Sequence, residues 1–146
     1  MLKGIPPILS PELLKILREM GHGDEIILAD GNFPAASIAQ RLVRSDGNTV
    51  PELLDAILTV FPLDDYSDFP VGLMAVNPGD PVDPVIWKEY RTIIDKHDTM
   101  TDFEYIERFA FYERAKKAYA VVATSEGAQY ANIILKMGVV RQKQAE

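Results

Sequence analysis

Gly21-His-Gly-Asp-Glu-Ile-Ile-Leu-Ala-Asp30-Gly-Asn-Phe-Pro34 is the stretch on which the fold turns. Its centre, Glu25-Ile-Ile-Leu-Ala29, is a short apolar run between turn residues, the pattern of a buried strand. Just upstream, Ser10 is a good N-cap, Pro11 suits the first helical position, and Leu13, Leu14, Ile16, Leu17 and Met20 share one face. A helix is therefore predicted over residues 10–20, stopped by Gly21 and Gly23, because glycine accepts the left-handed conformation that ends helices. His22, one of two histidines, falls in the helix-to-strand turn, and Asp30 falls at the carboxyl end of the strand. Strand ends of that kind are where open α/β sheets place ligands.

Working outward, the alternation continues. Residues 41–44 read as a brief strand, 45–48 as a turn, and 51–60 as a helix with Leu53, Leu54, Ile57 and Leu58 inward. A polar connection over 61–70 leads into a second buried strand at 71–76, which Asn77-Pro-Gly-Asp-Pro81 breaks. Asp83-Pro84 repeats the cap-then-proline signal and opens a helix to about His97. A strand over 104–107, a helix over 109–118 and strands over 120–124 and 132–136 complete the chain. This order predicts one α/β domain spanning 1–146, three layers deep, with a central sheet and helices on both faces.

Composition narrows the function. The chain of 146 residues is 47% apolar, enough for one packed core, and its net charge of −7 leaves no basic stripe for nucleic acid. The absence of cysteine excludes disulfides and thiolate chemistry. No apolar leader or run of membrane-spanning length is present in the sequence, so a cytoplasmic protein without membrane contact is expected.

Nucleotide motifs are missing: Gly21-His-Gly-Asp24 does not follow a strand, and no Gly-Lys-Ser/Thr occurs. A metal site would need His22, His97, Asp24 and Asp30, which lack ligand spacing, so no metal is expected. His22 is either a ring capping a helix end or a general acid/base, and its flanking glycines leave the ring uncovered. Asp24 either orients that ring or caps the backbone, and Asp30 is the better candidate to accept hydrogen bonds from hydroxyls. His97 reads as a solvated helix-end residue, the aromatics Phe109, Phe111, Tyr112 and Tyr119 as core, and Asp64, Asp65 and Asp68 as a solvated edge. Arg108 and the segment Tyr130-Ala131-Asn132 offer polar groups suited to a polyhydroxylated ligand.

Ser10-Pro-Glu-Leu-Leu14, the Gly-His-Gly-Asp-Glu-Ile-Ile run, Asp30 with Asn-Phe-Pro-Ala, Arg-Phe-Ala-Phe-Tyr-Glu-Arg-Ala-Lys-Lys-Ala from Arg108, and Tyr-Ala-Asn-Ile-Ile-Leu-Lys from Tyr130 together resemble the fucose mutarotase branch of the ribose pyranase/fucose mutarotase family. The resemblance implies exchange of the anomers of free L-fucose, an isomerase activity, with His22 as proton donor and no cofactor. It also implies substrate contacts at Asp30, Arg108, Tyr130, Ala131 and Asn132. Many members carry glycine where Ala131 stands, and some carry histidine at position 32, here Asn32. The family resemblance further implies a homo-oligomer, a decamer before a dimer. Ribose pyranase activity and a non-catalytic monosaccharide-binding module are the alternatives, and the run from Arg108 favours fucose.

Overall fold

The computed structural model describes residues 1–143. Its elements run α1 (Pro11–Glu19), β1 (Glu25–Ala29), α2 (Ala35–Ile38), β2 (Leu42–Ser45), α3 (Val50–Leu58), β3 (Val71–Met74), α4 (Ile86–His97), β4 (Glu104–Ile106), α5 (Arg108–Lys117), β5 (Ala120–Thr124) and β6 (Ile133–Lys136). Every strand predicted from the sequence is present. The short α2 is an addition, since the sequence assigns residues 35–38 to no element.

The strands form one six-stranded sheet in the order β2-β5-β1-β6-β3-β4. β1, β5 and β2 are mutually parallel, as are β3 and β4, while β6 runs antiparallel to both β1 and β3 between them. One inverted strand therefore separates two parallel halves. The carboxyl ends of β1 and β3 and the amino end of β6 consequently meet at a single edge of the sheet.

Alternation along the strands divides the core in two. Ile26 and Leu28 of β1, Ala120 and Val122 of β5, and Ile133 and Leu135 of β6 join a cluster with Leu13, Leu53, Ile57, Tyr90 and Ile94 from α1, α3 and α4. Ile27, Ala29, Val121, Ala123 and Ile134 point the other way, into a cluster with Ala35, Phe111 and Ala115 from α2 and α5. Period-two side-chain geometry thus sends neighbouring residues to opposite faces, and the three-layer reading holds.

Helix starts follow local chemistry at α1, α3 and α5, whereas α2 and α4 begin without a side-chain cap. Ser10 Oγ accepts from Leu13 N–H at 3.1 Å, and Thr49 and Glu52 form a reciprocal capping box at α3. Glu107 caps α5 by accepting from Ala110 N–H at 3.0 Å. At α4, however, the N-cap is Val85 without a side-chain bond, so Asp83-Pro84 is not the cap the sequence suggested. The end of α1 also departs from expectation: Met20 is extended at φ −65° and ψ 147°, and only Gly23, at φ 89°, is left-handed. The chain leaves α1 through an extended residue, and glycine is used for the turn into β1.

Candidate active site

At the sheet edge where β6 inverts the order lies a cleft of about 340 Å³ lined by residues including Asp30, Arg108, Tyr130 and Asn132. Four of the six residues singled out from sequence therefore converge there. Asp30 follows β1, and its backbone N–H donates to Asn132 Oδ1 at 2.8 Å, tying the ends of two antiparallel neighbours together. Asp30 Oδ1 in turn accepts from Asn32 N–H at 3.0 Å, an Asx turn that fixes the carboxylate. Burial pushes the Asp30 carboxyl above the ordinary aspartate range, against hydrogen bonds from Asn32, Phe33 and Asn132 that pull the other way.

Tyr130 is held from three sides. Its hydroxyl donates to Asp80 Oδ2 at 2.5 Å and accepts from Asn77 N–H at 3.2 Å, while its carbonyl accepts from Trp87 Nε1–H at 2.8 Å. It is the only non-glycine residue with positive φ among the described residues, at 56°, a conformation that costs an ordinary side chain on the order of 1 kcal/mol or more. These bonds maintain it. The hydrogen bond to Asp80 also raises the phenol's pKa, so the phenol keeps its proton near neutrality.

Arg108 is the first residue of α5, with Nε donating to Tyr112 Oη at 3.1 Å and the guanidinium 5.4 Å from the Tyr112 ring centroid. The side chain faces the cleft with donors to spare. The neighbouring Phe109 is 65% exposed, contrary to its reading as core, because the face of α5 that packs inward carries Phe111 and Ala115.

Ala131 is placed differently from its neighbours. It is fully buried within the α1/α3/α4-side cluster, and its carbonyl accepts from Tyr90 Oη at 2.7 Å. Its methyl group faces the core, while Tyr130 and Asn132 on either side line the cleft.

His22 lies elsewhere. It precedes β1, whereas Asp30 follows it, and a five-residue strand spans about 17 Å. The ring is half exposed and sits with Nε2 3.0 Å from Oδ1 of Asp64, which is 5% exposed. A carboxylate only accepts, so Nε2 carries hydrogen toward Asp64 and Nδ1 is the nitrogen left to exchange a proton. The Tyr66 ring flanks the imidazole at 5.3 Å between centroids. Asp24 does not orient the ring; its Oδ2 accepts from Gly21 N–H at 2.8 Å and caps the turn.

Asp64 corrects the reading of a solvated acidic edge. Its backbone N–H donates to Lys136 O at 3.1 Å, and its Oδ1 also accepts from Tyr66 N–H at 3.1 Å. This packing depends on Gly138, where an added Cβ would lie 2.5 Å from Leu63 O and 2.7 Å from Asp64 Cα. His97 is likewise not simply solvated: its Nε2 is 2.6 Å from Asp55 Oδ1, joining α4 to α3. No group of three or more histidine, aspartate or glutamate side chains suited to a metal ion occurs among the described residues. None of their helices is long and apolar enough to cross a membrane.

Sequence reading missed Asp80, Phe33 and Met74 as cleft residues and Asp64 as the partner of His22. Asp80 carried a usable signal, an acid in the loop after a buried strand, the same position that drew attention to Asp30. Asp64 carried none, being 42 residues from the histidine that it holds.

A six-stranded sheet with a largely polar cleft at its inverted strand, in a chain free of nucleotide motifs, defines a three-layer α/β protein with a candidate small-molecule site. Residues 3–140 match the model of the RbsD / FucU transport protein family, and the chain belongs to that family. It is 51% identical over 144 residues to an L-fucose mutarotase of Actinobacillus pleuropneumoniae serotype 5b, covering 98% of this chain and all of that protein. Among solved structures it is similar to the fucose mutarotase of Streptococcus pneumoniae in complex with L-fucose, at 56% identity, TM-score 0.90, and coverage of 96% of this chain and 100% of the other. FucU from Bifidobacterium longum is similar at 56% identity and TM-score 0.92, covering 95% and 100%.

Proposed function

We propose that this chain is a cytoplasmic aldose mutarotase, an isomerase that interconverts the α and β anomers of free L-fucose by opening and reclosing the sugar ring. The observation that carries this reading is the convergence of Asp30, Arg108, Tyr130 and Asn132 on one cleft in a chain half identical to an L-fucose mutarotase.

Opening the ring requires the anomeric hydroxyl to lose a proton while the ring oxygen gains one; the bond from C1 to the ring oxygen breaks, and the aldehyde turns and recloses on its other face. Asp30 suits the base, because burial raises its affinity for a proton. His22 suits the acid, presenting Nδ1 while Asp64 holds Nε2. Tyr130, its proton committed to Asp80, positions the sugar, and Arg108 and Asn132 supply further polar contacts. Every proton lost at one oxygen is returned at another, so the chemistry consumes no cofactor.

The acid and the base stand at opposite edges of β1, too far apart to serve one sugar within one chain. A second copy resolves this: the His22 edge of one subunit meets the cleft of the next. Contact between two different edges is a heterologous interface, which forms a ring where its rotation closes, in keeping with the homo-oligomer, a decamer before a dimer, expected from the sequence.

Exchange at the anomeric proton signals of L-fucose tests the activity. Native protein accelerates α-to-β exchange, and His22→Ala returns it to the spontaneous rate. Binding of L-fucose with no acceleration by native protein would instead make this a non-catalytic sugar-binding module.

A further inference from the structure

The cleft is not polar throughout. Phe33 and Met74, 9% and 6% exposed, line it together with the polar side chains, and both belong to the cluster between the sheet and α5. Part of the cleft wall is therefore the outer surface of the hydrophobic core. Phe33 N–H donates to Asp30 O at 3.3 Å, so ring and carboxylate ride on one turn. The ring is wedged edge-on against Phe111 and Tyr112, at centroid separations of 6.0 and 5.6 Å. Met74 ends β3, in register with Ile106 of β4. Both side chains are packed into the core, and neither offers a strong hydrogen-bonding atom.

Resting on the mutarotase reading above, we propose that Phe33 and Met74 form an apolar wall that receives the methyl group of a 6-deoxy sugar and selects it against sugars bearing a 6-hydroxyl. L-Fucose has one carbon substituent without oxygen, its C6 methyl, and every other exposed carbon carries a group that the polar side of the cleft can pair. L-Galactose is the same sugar with a hydroxyl on C6. Setting that hydroxyl on the Phe33–Met74 wall removes its water and returns no partner. D-Arabinose is the same ring without C6, and it forfeits the contact without incurring a clash.

The test compares kcat/KM for anomer exchange of the three sugars with native protein and with Met74→Gln and Met74→Leu. For the native protein, L-galactose falls below L-fucose by about 100-fold and D-arabinose by about 10-fold or more, the range that a hydrophobic pocket achieves against an added hydroxyl or a missing methylene. Met74→Gln, which brings an amide to the wall, shrinks the fucose-to-galactose ratio by about tenfold, and the apolar Met74→Leu preserves it. Native rates for L-fucose and L-galactose within about threefold of each other would overturn the proposal without any variant, since no wall of this kind is then selecting. A native ratio that survives Met74→Gln in a folded protein would remove Met74 from the role. If native protein accelerates none of the sugars, the mutarotase reading itself fails and the wall falls with it.

Discussion

His22 and Asp30 bracket β1, the imidazole at its amino edge against Asp64 and, at its carboxyl edge, the Asp30 backbone N–H donating to Asn132 Oδ1.

Asp64 fixes His22 through Nε2 and is itself fixed by Tyr66 N–H and the backbone of Lys136. Asp64→Asn preserves the shape but offers an amide where the carboxylate accepted, freeing the ring to adopt the other tautomer. Loss of kcat by about 100-fold or more is expected, with less change in KM. Imidazole nitrogen NMR should show native His22 protonated at Nε2 and this preference lost in the variant; an unchanged spectrum with lowered activity would contradict the assignment.

Asp30→Asn separates stability from activity. The Asp30 carboxyl is held above its unfolded pKa, so the folded state binds its proton more readily, and the cost of burying the charge is fully present above the folded pKa. That cost disappears as pH falls through the folded pKa to below the unfolded one. The amide removes it, so Asp30→Asn melts at or above the native temperature at pH 7, with the difference shrinking in acid, while activity falls by about 100-fold or more. Melting curves across pH, read beside exchange rates, check both halves.

Ala131 tests the distinction between a cleft residue and its buried neighbour. Because its methyl group packs in the core, Ala131→Gly costs about 1 kcal/mol of stability and leaves the KM for sugar unchanged. Tyr90→Phe strands the buried Ala131 carbonyl and costs about 1–3 kcal/mol. Denaturant unfolding and a substrate titration of each variant decide it; a tighter KM in Ala131→Gly would place the methyl against the sugar.

Gly138→Ala is the remote counterpart. The added carbon meets backbone at Leu63 and Asp64, which lacks a flexible end to swing aside. The variant loses stability and activity together, and a crystal structure or chemical-shift map should show the displacement centred on Asp64 and His22.

The alternation of helix and strand was legible because apolar runs and cap residues are local signals: residues 25–29 and 120–124 come out of the structure as they were read from the sequence. Where caps misled, at Asp83 and Gly21, α4 starts behind an uncapped Val85 and α1 ends at an extended Met20. Asp30, Arg108, Tyr130 and Asn132 could be found because each stands at the boundary of an element. The inverted direction of β6 could not, since an apolar run carries no sign of its direction, and neither could the pairing of His22 with Asp64 across 42 residues. Met74 reads only as part of a buried strand, and Phe33 carries no sign in the sequence that it lines the cleft.

The most direct test of an active site shared between copies is complementation. His22→Ala and Arg108→Ala, each close to inactive alone, are dissociated, mixed in equal amounts and reassembled, and L-fucose anomer exchange is measured. Sites drawing His22 from one subunit and the cleft from the next return about one quarter of native activity, the share in which both halves are intact. A mixture that remains at the spontaneous rate after mixed assembly has been verified would contradict the shared site and require one chain to catalyse the exchange alone.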